Sequence, residues 1–150
     1  MTIPFDPAAI DSDEYGEQQA TLRMDHEAAI DHVRSVCTDQ GFGVPVEFSP
    51  SELLNEKVDA DRDPYYVLGA CNPEMADRAL EATDGRLGAL FPCNMIVREA
   101  EPGVQRVYHL SIMKIARLLG LPADDEAMDA IIDDTGEMVA TVFAELRADD

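Results

Sequence analysis

The sequence predicts an α+β fold, with one mixed or antiparallel sheet of about five strands and helices packed on it. Segments with strand character alternate with amphipathic helical segments along the chain. A hairpin turn at Glu101-Pro-Gly103 joins two consecutive strands, which excludes a wholly parallel sheet. The length of 150 residues, of which 46% are hydrophobic, suits one domain with a substantial core.

The N-terminal third of the chain contains two predicted strands. Residues 1–17 are polar and acidic, so we expect a flexible N-terminal extension followed by a single folded domain over 18–150. The elements predicted next are a strand at Ala20–Met24, a helix capped by Asp25 that runs to about Asp39 and ends at Gly41, an edge strand at Val44–Phe48 that contains Pro45, and a short helix that starts at Ser49-Pro50.

The remaining two thirds contain three predicted strands and the longest helix. In order, they are a strand at Tyr65–Ala70, a helix that starts at Asn72-Pro73 and ends before Gly85, a strand over Leu87–Val97 interrupted by Pro92, a strand at Val104–Leu110, a helix at Ile112–Leu119 capped by Ser111, and a helix from Pro122 to about Arg147. We expect Gly136, inside the apolar stripe of the last helix, to allow close packing against the sheet.

The charge balance is strongly acidic. The chain has 31 Asp and Glu residues against 11 Lys and Arg residues, a net charge of −20, and the acidic residues are spread along its length. Such a charge destabilises a compact state unless salt screens it, since the Debye length falls to about 3 Å at 1 M salt. We therefore predict a halophilic protein, and we expect neither nucleic acid nor anionic membrane as a partner.

The expected location is the cytoplasm. The N-terminus lacks the basic start and apolar stretch of a signal peptide, and no apolar run approaches the roughly 20 residues that span a bilayer.

The three cysteines are too few for a disulfide framework and suggest free thiols, or one functional pair and one buried residue.

Two Cys-Asn motifs are the sharpest local signals. In Leu68-Gly-Ala-Cys-Asn-Pro73, Cys71 ends an apolar strand and Asn72 caps the next helix, whose dipole would favour a thiolate. In Phe91-Pro-Cys-Asn94, Pro92 breaks the ladder of the following strand and kinks it beside Cys93. Both cysteines could instead be core residues, because cysteine is among the most buried residue types.

The two motifs, about twenty residues apart and followed by an apolar strand, resemble the domain of unknown function 302 family over roughly Gln18 to Leu146. The resemblance implies a small α+β domain, a homodimer and no established activity. Its two cysteine motifs correspond to Cys71-Asn72-Pro73 and Pro92-Cys93-Asn94. This chain departs from the family after the hairpin, where Tyr108-His-Leu-Ser111 replaces an Asp-Pro pair.

His109 is the third candidate at this place. It could approach Cys71 and Cys93 if its strand pairs with the preceding one, and the three side chains could then ligate zinc. The close Cys-x₂₋₄-Cys spacing of zinc sites is absent, so we predict no metal. The chain also lacks the GxSxG, HExxH, Walker and GxGxxG patterns, and we predict no cofactor.

The sequence leaves open whether the protein is an enzyme. The first interpretation is a binding or interaction domain with a pocket at Cys71, Asn72, Pro92, Cys93, Asn94 and His109, for a small molecule or an anion. The alternatives are a thiol-based redox or sulfur-handling protein that uses Cys71 and Cys93, and a structural dimer without ligand. In the first two, Cys37 is expected to be buried and inert.

Overall fold

The secondary structure follows the predicted order. A computed structural model of the protein describes residues 4–148. Within them it contains β1 (Gln18–Leu22), α1 (His26–Asp39), β2 (Gly43–Phe48), α2 (Pro50–Val58), β3 (Tyr65–Cys71), α3 (Pro73–Ala82), β4 (Cys93–Glu101), β5 (Val104–His109), α4 (Ile112–Leu118) and α5 (Asp125–Ala148). Short 3₁₀ helices lie at Pro7–Ala9, Ser12–Tyr15 and Arg86–Leu90.

The strands form one antiparallel sheet in the order β1-β5-β4-β3-β2. This confirms the predicted α+β fold. It also confirms the edge position of β2, where Pro45 lacks the N–H that a central strand would need. Among the described residues, no helix has both the length and the apolar character that crossing a membrane requires.

One face of the sheet carries the core. Alternate residues of the three central strands point to this face and are buried, because side chains in a strand alternate between the two faces. The helices α1 and α5 pack here. The largest contributors to this core are Leu22, Val33, Leu68, Met95, Val97, Val107, Val142, Phe143 and Leu146.

Side-chain caps set where the helices start, with one exception. Ser49, Asn72 and Ser111 accept hydrogen bonds from Glu52 N at 3.2 Å, Met75 N at 3.0 Å and Lys114 N at 3.2 Å, as predicted. The predicted cap of α1 is wrong in detail, because Asp25 occupies the N-cap position but its carboxylate makes no capping bond. The last helix begins at Asp125, after Asp124 accepts a bond from Ala127 N at 3.0 Å, and so starts later than the predicted Pro122.

The prediction of a strand over Leu87–Phe91 is wrong. The chain turns at Gly85, which has a φ of +77°, and continues as the 3₁₀ helix Arg86–Leu90. Leu87 is fully buried, and its N–H donates to Thr83 Oγ1 at 3.1 Å, which holds this turn against the end of α3. A short apolar run fits a strand and a buried helical turn equally well, so its pattern could not decide. β4 starts only after the cis Phe91–Pro92 bond.

The described part of the N-terminal stretch, 4–17, is folded back on α4. Ser111 N donates to Tyr15 O, and Lys114 Nζ donates to Asp13 O, both at 2.8 Å. The sequence did not predict the two 3₁₀ helices in this stretch. The predicted flexibility of this extension stays a prediction. Residues 1–3 of the predicted extension, and the last two residues of the predicted domain, lie outside the described part.

Candidate functional site

The two Cys-Asn motifs and His109 meet at one end of the sheet. Cys71 ends β3 and Cys93 begins β4, and the antiparallel register sets Ala70 opposite Cys93. β5 pairs with the other side of β4 and ends at His109. The pairing on which the predicted site depended is therefore confirmed, and it brings together residues that lie up to 38 positions apart, from Cys71 to His109.

An open cleft of about 400 Å³ lies at this end of the sheet. Five of the six predicted site residues line it, namely Cys71, Asn72, Pro92, Cys93 and His109. Asn94 does not line it. By strand alternation its side chain points to the opposite face from that of Cys93, and it is exposed. Its backbone carbonyl instead accepts a hydrogen bond from His109 Nδ1 at 2.9 Å.

The helical walls of the cleft could not be predicted from the sequence. These residues are Met75 and Ala76 of α3, Ile112, Met113 and Lys114 of α4, and Ile132, Thr135, Gly136 and Val139 of α5. Their apolar members recur at helical spacing, which predicts a helix face against a core but cannot tell a packed face from the wall of a cleft. The rim is completed by Gly16, Gln18, Phe42, Pro45, Val46, Phe91 and Ser111, beside Ala70 on the sheet.

Gly136 does not have the role that its sequence position suggested. A Cβ atom built on it would meet no other atom within 4 Å, so this glycine faces open space at the cleft instead of packing closely on the sheet. The close approach occurs at Gly69 of β3. A Cβ there would lie 2.6 Å from Pro92 Cγ and 2.8 Å from Val46 O, which no ordinary contact permits. Gly69 therefore gives Pro92 room to lie across the strand.

His109 is a buried, neutral acceptor. Its side chain is 2% exposed, and its ring centroid lies 6.3 Å from that of Phe143. Burial lowers the pKa of the imidazole, although the bond to the Asn94 carbonyl partly opposes this shift. Because a carbonyl oxygen can only accept, Nδ1 carries the proton, and Nε2 of the neutral ring is an acceptor.

The two thiols of the cleft are half-buried and free. Burial, and to a smaller extent the nearby charge of Cys71, together raise the pKa of Cys93 to about 12. The second effect requires the two sulfurs to be close enough to interact. Cys37, by contrast, lies on the core-facing side of α1 with no exposed surface, as predicted, and burial raises its pKa to about 11.

Asn72 is held by both ends of its amide. Its Oδ1 accepts from Met75 N, and its Nδ2 donates to Gly41 O at 3.0 Å, so the residue joins the start of α3 to the turn after α1.

Within the described residues, no group of three His, Cys, Asp or Glu side chains could hold a metal ion.

The charge of the cleft differs from that of the rest of the chain. Asp and Glu make up 31 of the 150 residues, yet none lies among the described residues that line the cleft. Among the described residues that line the cleft, the one charged side chain is Lys114, whose ammonium donates to the carbonyl of Asp13.

Comparison with known proteins agrees with this architecture. A crystal structure of an uncharacterized conserved DUF302 protein from Bacillus stearothermophilus superposes with a TM-score of 0.74 at 24% identity, over 87% of this chain and 98% of that one. This likeness shows the shared fold. No curated protein matches the chain. The family model for "Domain of unknown function DUF302" matches residues 18–146, which include all five strands and most of α5. The chain therefore belongs to the DUF302 family.

Proposed function

We propose that the protein is a binding domain that holds a small, mainly apolar molecule in the cleft at the end of the sheet. The observation that carries this proposal is the wall itself, because none of its described residues is Asp or Glu in a chain of net charge −20. An apolar wall with a few polar groups is typical of small-molecule sites, and about 400 Å³ falls within their usual range of roughly 300–1,000 Å³.

The charges near the cleft favour neutral or anionic molecules over cations. Lys114 is one of only two lysines in the chain, and it is the charged side chain that lines the cleft. A cation would meet this ammonium without a carboxylate to pair with, and the desolvation of an unpaired charge is costly. The anion considered from the sequence therefore stays a candidate, with Lys114 as its nearest opposite charge.

Blocking the cleft tests the proposal. Nile red, an uncharged fluorescent dye, should bind the wild-type protein in molar potassium chloride and brighten as it leaves water. Gly136→Leu places a side chain in the open space above the glycine, and we expect at least about tenfold weaker binding, the loss of roughly 1.4 kcal/mol. Ala140→Leu adds the same side chain at an exposed position of the same helix and should bind like wild type. Equal binding by all three proteins, or no binding by any, would contradict the proposal.

Thiol chemistry is the second candidate function. The proximity of Cys71 and Cys93 in one cleft supports it. The raised pKa of Cys93 opposes it, because the thiolate is the reactive form. Titration of free thiols before and after a reductant separates the two candidates. A pair of thiols that appears only after reduction would favour redox chemistry, whereas an unchanged count favours binding.

We also propose that the protein works in a salt-rich cytoplasm. The net charge of −20 supports the salt, and three free cysteines support a reducing compartment. The same charge repels the phosphates of nucleic acids and anionic lipids, so the expected ligand is not a macromolecule of that kind.

A further inference from the structure

We infer that the molecule bound in the cleft carries a hydrogen-bond donor, a hydroxyl or an amide N–H, which donates to Nε2 of His109. This inference rests on the proposed function, because it names the chemical class of the ligand for the same cleft. It excludes pure hydrocarbons, and it excludes ligands held only through a carboxylate.

Nε2 of His109 is a hydrogen-bond acceptor without a donor among the described residues. Nδ1 is committed to the carbonyl of Asn94 at 2.9 Å, so the proton of the neutral ring is on Nδ1. Nε2 then holds a lone pair and no hydrogen. Among the described residues, no side chain or backbone group donates to it, and the ring's second neighbour, Phe143, is aromatic.

Nε2 of His109 faces the cleft. Every buried side-chain nitrogen and oxygen among the described residues has a hydrogen-bond partner. Nε2 has none, so it cannot be fully enclosed, although the residue as a whole is 2% exposed. The space that His109 lines is the cleft. The small accessible surface of this residue therefore includes Nε2, facing the cleft.

An acceptor at this position makes the cleft selective for ligands that carry a hydrogen-bond donor. An acceptor in a mostly apolar wall loses its water when a ligand enters, and it remains unsatisfied unless the ligand supplies a donor. The nearest cationic donor in the wall, Lys114, already donates to Asp13 O. A site of this kind discriminates strongly between ligands with and without the matching hydroxyl or N–H.

A matched pair of probes tests the inference. We would measure the binding of 2-naphthol and 2-methoxynaphthalene to the wild-type protein by calorimetry at neutral pH in molar potassium chloride. The two probes share one aromatic body, but only the first can donate a hydrogen bond. We expect 2-naphthol to bind at least about tenfold more tightly.

Two variants assign the preference to His109. Gln at this position keeps one donor for the Asn94 carbonyl and one acceptor, so His109→Gln should retain a preference for 2-naphthol. His109→Leu introduces an apolar side chain that has no acceptor, and this variant should bind both probes with similar affinity. The comparison in the wild-type protein decides the inference even if the leucine variant fails to fold.

The outcomes separate the inference from the proposed function. Equal affinity of the wild-type protein for the two probes, or tighter binding of 2-naphthoate than of 2-naphthol, would overturn the inference while the cleft remains a binding site. If neither naphthalene binds, and Nile red does not bind either, both fail. A preference that survives in His109→Leu would overturn the role of His109.

Discussion

Burial separates Cys37 from the two cysteines of the cleft. Cys37 has no exposed surface and packs among apolar side chains of the main core, whereas Cys71 and Cys93 are half-buried. The sequence predicted this division from the helical face of Cys37 and from the position of Cys71 before a helix cap. It could not predict the high pKa of Cys93, because that pKa depends on helices distant in sequence that cover the strand.

The first prediction compares two serine substitutions. Cys37→Ser buries a hydroxyl without a prepared partner and should lower the free energy of unfolding by about 1–3 kcal/mol. Cys71→Ser lies at the cleft and should cost less stability while weakening the binding of Nile red. Denaturant titration of both variants in molar salt measures the difference. Equal losses of stability would contradict the distinction.

The second prediction concerns pH. Burial holds the pKa of His109 in the folded state below its ordinary 6.5, so the unfolded chain takes up this proton first as pH falls. The contribution of His109 to stability is complete above the unfolded pKa and is lost as pH falls toward the folded pKa. Between about pH 8 and about pH 5, the wild-type protein should therefore lose more stability than His109→Gln. If the free energy of unfolding changes equally with pH in the two proteins, the pKa of His109 is the same in the folded and unfolded states, which would contradict the prediction.

At the scale of elements, local signals predicted helix starts better than they predicted what the helices enclose. The caps Ser49, Asn72 and Ser111 could be predicted because capping is a contact with a residue three positions away. The 3₁₀ helix Arg86–Leu90 could not, since Leu87 takes its conformation from burial against distant elements. The walls of the cleft were missed for the same reason.

The third prediction concerns α5. Gly136 lies inside this 24-residue helix, and a Cβ on it would touch nothing. Gly136→Ala should therefore raise the free energy of unfolding by about 0.5–1 kcal/mol, because alanine favours the helix without a clash. Ala140→Gly, one turn later and exposed, should lower it by a similar amount. A destabilised Gly136→Ala protein would mean that the glycine is needed for packing after all.

At the scale of the molecule, we expect the net charge to set how stability depends on salt. The fourth prediction is that the melting temperature climbs steeply between low and molar potassium chloride, because salt screens the repulsion within a chain of net charge −20. Differential scanning calorimetry over this range measures it. A flat profile would end the proposal of a halophilic protein.

The fifth prediction concerns assembly. We propose a homodimer. The apolar stripe of α5 is buried within the chain, so this helix does not offer the interface. Five exposed apolar residues lie instead on β2 and α2, which follow one another in the chain, and exposed apolar surface favours association. They are Val46, Phe48, Leu53, Leu54 and Val58, which are between 38% and 66% exposed. A two-fold pairing through them would be isologous.

Light scattering in molar salt tests this assembly. The wild-type mass should be twice the 16.4 kDa of one chain. Phe48→Glu should shift the mass toward one chain, whereas Leu119→Glu, at a site of similar exposure away from β2 and α2, should not. A wild-type mass near that of a single chain would contradict the proposal.

The pairing of β1 with β5 has a consequence for synthesis of the chain. Gln18 faces His109 across this pair, and the two residues lie 91 positions apart in the sequence. At translation rates of about 5–20 residues per second, β1 waits roughly 5–18 s before its partner strand exists. The cleft needs still more of the chain, because α5 contributes Val139 to its wall in addition to Gln18 of β1 and His109 of β5. The nascent chain therefore cannot hold a ligand there until its last helix has also been made.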